Sequence, residues 1–270
     1  MFEILKLLSA ALLVLLLSAC MLQERLIFFR QPPAPAPRIE APGVLEDLSL
    51  RAADGTRLRG WLARYQAGRA PLVIYFGGNA EETSWLVGEA RRFGGWSVMS
   101  VNYRGYGRSE GHPGEEALFG DALQIYDAAA ARPDVDPDRI VAMGRSLGSA
   151  VAVHLAAQRR IAGVLLVTPF DSLVEVGAEH YPFLPVRWLL KHRFDSLLLA
   201  PSIKSPVLIL AAERDAVVPP LHARRLYDAW GGAREWIEFR GVGHNDVDAA
   251  SGYWPAIRSF LDRLASSRGP

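Results

Sequence analysis

The amino-acid sequence predicts an α/β domain in which helices cover both faces of a mostly parallel sheet. Strand-like and helix-like segments alternate through most of the chain, which is the pattern of β-α units with parallel strands. Near the beginning, two strand-like segments flank Asp54-Gly55, a dipeptide that favours a hairpin turn. The 270 residues are 50% hydrophobic and 22% charged, which is enough apolar chain for one sizeable core. The predicted sheet therefore begins with an antiparallel hairpin.

Each predicted strand is a short apolar segment bounded by glycine, proline or polar residues. In chain order the strands are residues 44–51, 56–65, 72–76, 96–101, 139–143, 161–167, 207–211 and 235–239. The predicted helices are residues 83–93, 115–131, 147–158, 221–229 and 253–265. Because active sites of such sheets lie at the carboxyl ends of the strands, the strand-to-helix loops are expected to carry the chemistry.

The composition excludes several classes of protein. The 30 basic side chains oppose 29 acidic ones and leave a net charge of +1, with no basic stripe of the kind that binds nucleic acid. Cys20 is the single cysteine, which excludes disulfides within the chain, cysteine-bound metal sites and a thioredoxin-like pair.

An uncharged, apolar segment occupies residues 7–22, and Cys20 lies near its end. It is shorter than the roughly 20 residues that a bilayer-spanning helix needs. The Leu-Ser-Ala-Cys motif that ends at Cys20 resembles the lipobox of bacterial lipoproteins. This resemblance implies a signal peptide at residues 1–19, lipid attachment at Cys20 and a domain held in the bacterial cell envelope, outside the cytoplasm. An uncleaved signal-anchor helix ending near Met21 is the alternative, and it also tethers the chain to a membrane.

A tether is predicted at residues 20–39, ahead of a domain at residues 40–270. Its Pro/Ala-rich part, residues 31–37, is expected to be an extended, semi-rigid spacer. The apolar residues 26–29 before it either pack on the domain or lie at the membrane.

Two segments match the Gly-x-Ser-x-Gly pattern, one centred on Ser109 and the other on Ser146. The pattern marks a catalytic serine only where it forms a tight strand-to-helix turn. Ser146 lies between a predicted strand and the predicted helix 147–158, whereas the residues after Ser109 cannot begin a helix. Ser146 is therefore the predicted nucleophile, with an ordinary helix N-cap as its alternative role. The glycines on either side of it are expected because side chains there would clash with neighbouring backbone.

A serine hydroxyl needs a base to take its proton, and that base needs a carboxylate to orient it. His244 follows the last predicted strand and two glycines, and it is the predicted base. Asp215 lies in the loop after the preceding strand and is the predicted acid, with Glu213 and Asp171 as alternatives. The chain order Ser146, Asp215, His244 is the order of one fold class. The other histidines are expected at the surface, in packing roles or in a lid.

The predicted oxyanion hole consists of two backbone N–H groups that would face the charge developing on a substrate carbonyl oxygen. Leu147, the residue after the nucleophile, is expected to supply one donor. Asn79, in the glycine-rich turn after strand 72–76, is expected to supply the other through its backbone N–H. The alternative is that this turn serves chain geometry only.

The turn at residues 75–80, Tyr-Phe-Gly-Gly-Asn-Ala, and the loop at residues 102–111 resemble the α/β-hydrolase superfamily. They are similar to a membrane-tethered branch that includes serine aminopeptidase-like and depalmitoylase-like hydrolases. The resemblance implies the α/β-hydrolase fold and an acyl-enzyme mechanism without metal or organic cofactor. One departure is Gly77, which stands where the family usually has a histidine of mainly structural role, so the departure concerns the hydrogen bonding of this turn and not the triad.

Residues 170–205 form an apolar, proline-interrupted segment that is expected to be a small lid over the acyl site, or else a helix-packing segment. The expected reaction is cleavage of carboxylic ester or thioester bonds in a small-molecule acyl substrate or an acylated peptide. A serine peptidase is an alternative, because the same triad serves both reactions. A non-catalytic envelope lipoprotein is the alternative from another class. The expected partners are the acyl substrate and a membrane, with no nucleic acid.

Overall fold

A computed structural model describes residue 6, residues 23–25 and residues 27–266. Cys20 and, apart from Lys6, the predicted signal peptide at residues 1–19 lie outside the described residues. In the part of the chain that is described, no helix has the length and hydrophobicity needed to cross a membrane.

In the described chain eight strands form one sheet, and seven of them run in the same direction. The strands are β1 (Val44–Arg51), β2 (Arg57–Arg64), β3 (Ala70–Phe76), β4 (Ser97–Val101), β5 (Val135–Arg145), β6 (Gly163–Val167), β7 (Val207–Ala212) and β8 (Arg234–Phe239). Their order across the sheet is β1-β2-β4-β3-β5-β6-β7-β8. The β1–β2 and β2–β4 pairs are antiparallel, and the remaining neighbours are parallel. The predicted fold class, including its N-terminal hairpin, is confirmed.

Helices follow most of the strands. They are α1 (Ser84–Gly88), α2 (Glu115–Ala130), α3 (Leu147–Gln158), α4 (Leu173–His180), α5 (Val186–Leu189), α6 (Ser196–Leu199), α7 (Pro220–Ala229) and α8 (Tyr253–Ser266). Short 3-10 turns lie at Ala90–Phe93, Ala200–Ser202 and Val247–Ala249.

The core has two apolar layers, one on each face of the sheet. Alternate residues of a strand enter opposite layers, so Ile74 of β3 belongs to one layer and Val73 to the other. Helices α2 and α3 cover the first layer, and helix α8 covers the second with Ile257 and Phe260. This arrangement confirms the prediction that helices lie on both faces.

Two of the predicted elements differ from the structure by more than two residues at one end. The predicted helix 83–93 is split into α1 and the 3-10 turn Ala90–Phe93, which Gly94 ends with a φ of +67°. Strand β5 begins earlier than predicted and contains a bulge. Its Val135 pairs with Ala70 and its Ile140 with Leu72, so residues 136–139 lie opposite Pro71. Pro137 and Pro71 have no N–H to donate to a ladder, which accounts for the irregular pairing.

Candidate active site

Ser146 occupies the tight turn between the end of β5 and the start of α3. Its backbone has φ of +49° and ψ of −115°, a conformation that costs free energy in a residue other than glycine. Its N–H donates to the carbonyl of Val167 on the neighbouring strand at 2.9 Å, and this bond helps to hold the turn. The turn is the strand-to-helix geometry that was predicted for Ser146.

The glycines on either side of Ser146 allow the backbone segments to approach closely. A Cβ on Gly144 would lie 2.1 Å from the carbonyl oxygen of Gly148. A Cβ on Gly148 would lie 2.0 Å from the carbonyl oxygen of Phe76 and 2.5 Å from that of Gly77. Both contacts are with backbone that cannot move aside, so the clash that the sequence predicted is present at both positions.

Ser146, His244 and Asp215 form one hydrogen-bonded chain, although they come from three separate loops. The Nε2 atom of His244 lies 2.9 Å from the Ser146 hydroxyl oxygen. Its Nδ1 atom lies 2.7 Å from Oδ2 of Asp215. The carboxylate can only accept, so Nδ1 carries a proton toward it, and neutral His244 then accepts the Ser146 hydroxyl at Nε2. The histidine and the aspartate are buried.

The second carboxylate oxygen of Asp215 is fixed by its own loop. The backbone N–H groups of Val217 and Val218 donate to Oδ1 at 2.9 Å and 2.7 Å. Asp215 therefore presents Oδ2 to His244 in a defined orientation. The two alternative acids contact other groups, because Glu213 accepts from the Gly241 N–H and Asp171 contacts His222.

Arg145, which the sequence prediction did not single out, holds the histidine loop beside the serine turn. Its guanidinium donates to the carbonyl of Asn245 at 3.1 Å and to that of His244 at 3.4 Å. The residue before the nucleophile thus positions the loop that carries the base. In the sequence, the position of Arg145 directly before Ser146 is the one signal that could have identified it as a positioning residue.

The turn predicted to complete an oxyanion hole is held by hydrogen bonds to neighbouring side chains. The Gly78 N–H donates to Glu81 Oε2 at 2.6 Å, and the Tyr103 hydroxyl donates to the Gly77 carbonyl at 2.8 Å. Burial and the nearby Glu81 carboxylate raise the pKa of Tyr75 well above its ordinary value. Its hydroxyl stays protonated and donates to Glu81 Oε1 at 2.7 Å. Glu81 is a supporting residue that the sequence prediction missed.

Asn79 and Leu147 both line a cavity of about 720 Å³ that reaches Ser146. Most of the lining is apolar and comes from the lid segment, residues 170–205, and from the N-terminal segment, residues 23–31. The side chain of Asn79 is engaged with Phe29 and Ile27 of the N-terminal segment, which leaves its backbone N–H as the group predicted to face a substrate. Phe28 is buried in the core, so this segment packs on the domain.

Comparisons with known proteins show the family to which this chain belongs. A family model described as serine hydrolase matches residues 127–263. An uncharacterized protein of Mycobacterium tuberculosis is 40% identical over 251 residues, covering 90% of this chain and 88% of that protein. The chain belongs to the serine hydrolase family. An uncharacterized membrane protein of Saccharomyces cerevisiae is 33% identical over 224 residues, covering 80% of this chain and 79% of that protein.

Solved structures show that the fold of this serine hydrolase is that of the α/β hydrolases. An acetyl xylan esterase from Paenibacillus sp. R4 superposes with a TM-score of 0.69 at 20% identity, covering 92% of this chain and 93% of that chain. An esterase of Pyrococcus furiosus gives a TM-score of 0.69 at 17% identity, covering 88% of this chain and 99% of that chain.

The second Gly-x-Ser-x-Gly segment of this serine hydrolase has a structural role. Ser109 lies in a loop, as predicted, where its hydroxyl donates to the Asn102 carbonyl at 2.8 Å and accepts from the Arg59 N–H at 2.9 Å. These bonds hold the loop against β2. His154, on the helix that follows Ser146, stacks on Phe119 at 4.0 Å between ring centroids.

Among the described residues, no group of three or more His, Cys, Asp or Glu side chains is arranged to hold a metal ion. A second cavity of about 380 Å³ also reaches Ser146 and is lined by Glu81, Arg145 and His244. It is more polar than the first and has room for water near the base.

Proposed function

We propose that the protein hydrolyses carboxylic esters or thioesters of acyl groups through an acyl-enzyme on Ser146. The observation that carries the proposal is the chain of hydrogen bonds from Ser146 through His244 to Asp215 beside an apolar cavity. This is the arrangement that activates a serine hydroxyl for attack on a carbonyl carbon.

In the first step, the Ser146 oxygen forms a bond to the acyl carbon while His244 Nε2 takes the serine proton. Asp215 stabilises the imidazolium that results and keeps it oriented. The N–H groups of Leu147 and Asn79 are proposed to donate to the oxygen that becomes negatively charged. The tetrahedral intermediate then expels the alcohol or thiol, which takes its proton from His244, and the acyl group stays on Ser146.

In the second step, a water molecule gives a proton to His244 and attacks the acyl carbon. Collapse of this intermediate breaks the bond to Ser146, whose oxygen regains a proton from His244. The free carboxylic acid leaves the cavity. The polar cavity beside His244 supports this step, because it offers water a place next to the base.

The lining of the larger cavity favours an acyl group over a peptide N-terminus as the bound part of the substrate. Its volume of about 720 Å³ lies within the range of small-molecule sites. Among the described lining residues there is no Asp or Glu that could pair with a peptide α-amine. The substrate is therefore proposed to be a small-molecule acyl ester or thioester or an acylated peptide, and serine peptidase activity is the second candidate.

Labelling with a fluorophosphonate probe tests the proposal. We expect the folded wild-type protein to be labelled and Ser146→Ala to remain unlabelled. Wild type that stays unlabelled while folded contradicts the enzyme assignment and favours a non-catalytic lipoprotein. Labelling that persists in Ser146→Ala moves the nucleophile to another serine. A panel of p-nitrophenyl acyl esters compared with aminoacyl amides then separates esterase from peptidase activity.

We further propose that a lipid on Cys20 tethers the domain to a membrane of the bacterial cell envelope. The lipobox resemblance and the name of the yeast relative as a membrane protein support it. Mass spectrometry of the purified protein is expected to find a chain that begins at a lipidated Cys20. An unmodified Cys20 in a chain that still begins at Met1 contradicts lipidation and favours the signal-anchor helix.

A further inference from the structure

The lid segment exposes large apolar side chains to solvent. We call the group Tyr181, Phe183, Leu184 and Trp188 the lid tip. Phe183 is 96% exposed and Trp188 is 91% exposed, and the other two side chains are more than half exposed. Exposed apolar residues that stand alone are ordinary, but a contiguous group of this size marks a surface that another apolar body covers.

Two residues of the lid tip lie outside the lining of the large cavity. Tyr181 and Leu184 line that cavity together with Val186, Leu189 and Leu190, whereas Phe183 and Trp188 do not. Short helix α5 therefore presents one side to the cavity and Trp188 to the outside. Phe183 and Trp188 have no packing role in the described structure, and the catalytic chemistry does not account for them.

The chain enters the domain beside the lid tip. The Lys191 N–H donates to the side-chain oxygen of Gln23 at 2.7 Å, and the Lys191 ammonium lies 3.3 Å from a carboxylate oxygen of Glu24. Lys191 is three residues from Trp188. The N-terminal segment is thus attached to the lid, next to the mouth of the cavity that Gln23 also lines.

The uncharged residues 7–22 immediately precede Gln23. If a lipid is attached at Cys20, Gln23 is three positions after the attachment point, and an extended chain covers about 10 Å over that distance. A signal-anchor helix ending near Met21 leaves even less chain between the membrane and Gln23. Either anchor therefore holds the lid close to the bilayer that anchors the chain, because the Lys191 N–H is bonded to the Gln23 side chain.

We propose that the lid tip docks on the surface of the lipid bilayer that anchors the chain. Phe183 and Trp188 then lie among the headgroups and the first carbons of the acyl chains, a depth that tryptophan side chains favour. The cavity mouth between the lid and the N-terminal segment faces that bilayer. On the proposed function, the acyl group to be cleaved passes from the bilayer into the cavity without crossing water.

The neighbouring charges indicate that the docking is mainly apolar. Arg187 forms a two-point ion pair with Glu175 at 2.9 Å and 2.6 Å, and Lys191 pairs with Glu24. Because these cations already have acidic partners, vesicles of zwitterionic phosphatidylcholine are expected to suffice. Docking should also change little between low and moderate salt.

The first test measures the position of Trp188 directly. The full-length protein is reconstituted in phosphatidylcholine vesicles with and without brominated acyl chains, which quench tryptophan fluorescence on contact. The quenched fraction is expected to fall when Trp188 is replaced in Trp188→Phe. Equal quenching in wild type and Trp188→Phe overturns the proposal. A dimer that Phe183→Ser/Trp188→Ser dissociates, without quenching of Trp188, assigns the surface to a second copy of the chain and also overturns it.

The second test separates docking from catalysis. Phe183→Ser/Trp188→Ser is compared with wild type on water-soluble p-nitrophenyl butyrate and on a long-chain p-nitrophenyl ester embedded in the vesicles. Activity on the soluble ester is expected to stay within about twofold, and activity on the embedded ester to fall at least about fivefold, because two apolar anchors are lost. Val44→Ser removes another exposed apolar side chain, on edge strand β1, and is expected to leave both rates unchanged.

The outcomes distinguish the two proposals. Rates that are unchanged on both esters, or that fall equally on both, overturn docking. Wild type that cleaves neither ester contradicts the proposed function, and the quenching experiment then decides docking by itself.

Discussion

The backbone N–H of Phe29 donates to Oδ1 of Asn79 at 2.9 Å, although the two residues are 50 positions apart. The side-chain amide of Asn79 donates in return to the carbonyl of Ile27, and Oδ1 also accepts from the Tyr106 hydroxyl at 2.8 Å. One side chain therefore fixes the N-terminal segment to the turn whose N–H is proposed to bind the oxyanion. The N-terminal segment is therefore part of the wall of the cavity that reaches Ser146.

Replacing Asn79 by alanine tests this relationship. Asn79→Ala keeps the backbone N–H but releases the N-terminal segment, so the turn that carries this N–H is held less firmly. We therefore expect kcat/KM on a soluble ester to fall about tenfold, which corresponds to roughly 1.4 kcal/mol of transition-state stabilisation. Tyr106→Phe removes only one of the bonds to Asn79 and is the milder control. An unchanged kcat/KM in Asn79→Ala would show that the turn holds its geometry without these bonds.

Removing the charge of Asp215 tests the proposed triad. In Asp215→Asn the amide no longer favours the His244 tautomer that accepts at Nε2, and we expect kcat to fall by about 10³- to 10⁴-fold. Ser146→Ala is expected to lose at least as much. Glu213→Gln is the matched control, because Glu213 lies in the same loop and accepts only from the Gly241 N–H in the described contacts. A loss in Glu213→Gln equal to that in Asp215→Asn contradicts the assignment of the acid.

The glycine after the nucleophile is expected to be indispensable for stability. A Cβ on Gly148 would lie 2.0 Å from the Phe76 carbonyl oxygen, so Gly148→Ala should lower the free energy of unfolding by about 3 kcal/mol or more. A Cβ on Gly120, in helix α2, would meet no atom within 4 Å beyond the backbone of its own helix. Gly120→Ala should instead raise the free energy of unfolding by about 0.5 to 1 kcal/mol. Urea denaturation measures both, and equal effects would contradict the close backbone approach.

Local patterns were enough to predict most of the sheet and the helix after the nucleophile. Helix α3 begins and ends at the predicted residues because Ser146 and the glycines around it define the turn, and an alanine-rich sequence continues the helix. The split of the predicted helix 83–93 was missed, since its apolar spacing continues past the point where the backbone changes at Glu89. The early start of β5 was missed because Pro137 breaks the strand pattern.

The same sequence patterns predicted Ser146, His244 and Asp215 as site residues. The structure places the three in one hydrogen-bonded chain, and their catalytic roles stay predictions. What the patterns could not show are contacts across long stretches of sequence. The bond between Phe29 and Asn79 depends on two surfaces that meet only in the folded chain. The sequence therefore left open whether the residues before the spacer pack on the domain.

A buried histidine between two carboxylates gives a pH dependence of stability with a defined sign. His222 of α7 lies 2.6 Å from Asp171, in the loop after β6, and 3.0 Å from Glu179 on lid helix α4. Arg225 also faces Asp171, at 3.4 Å. Burial lowers the pKa of His222, but the hydrogen bond and charge of Asp171, helped by Glu179, outweigh burial and raise it. Burial likewise raises the pKa of Asp171, but the bond to His222 outweighs it and lowers that pKa.

The directions of these two pKa shifts determine the pH range in which the His222–Asp171 pair stabilises the fold. The contribution of His222 is complete below its unfolded pKa of about 6.5 and is lost as pH rises through its higher folded pKa. The contribution of Asp171 is complete above its unfolded pKa of about 3.9 and is lost as pH falls through its lower folded pKa. The difference in unfolding free energy between wild type and His222→Gln should therefore be largest between about pH 4 and 6.5 and shrink at higher pH.

His154 serves as a control because its expected effect on the pH dependence of stability has the opposite sign to that of His222. Burial against Phe119 lowers the pKa of His154, so wild type should lose stability relative to His154→Gln as pH falls below about 6.5. Urea denaturation at several pH values between about 4.5 and 8 measures both differences. A wild-type advantage over His222→Gln that grows from about pH 6.5 to 8 would show that His222 is neutral in the folded state. The contact between α7 and the lid helix would then be an uncharged hydrogen bond.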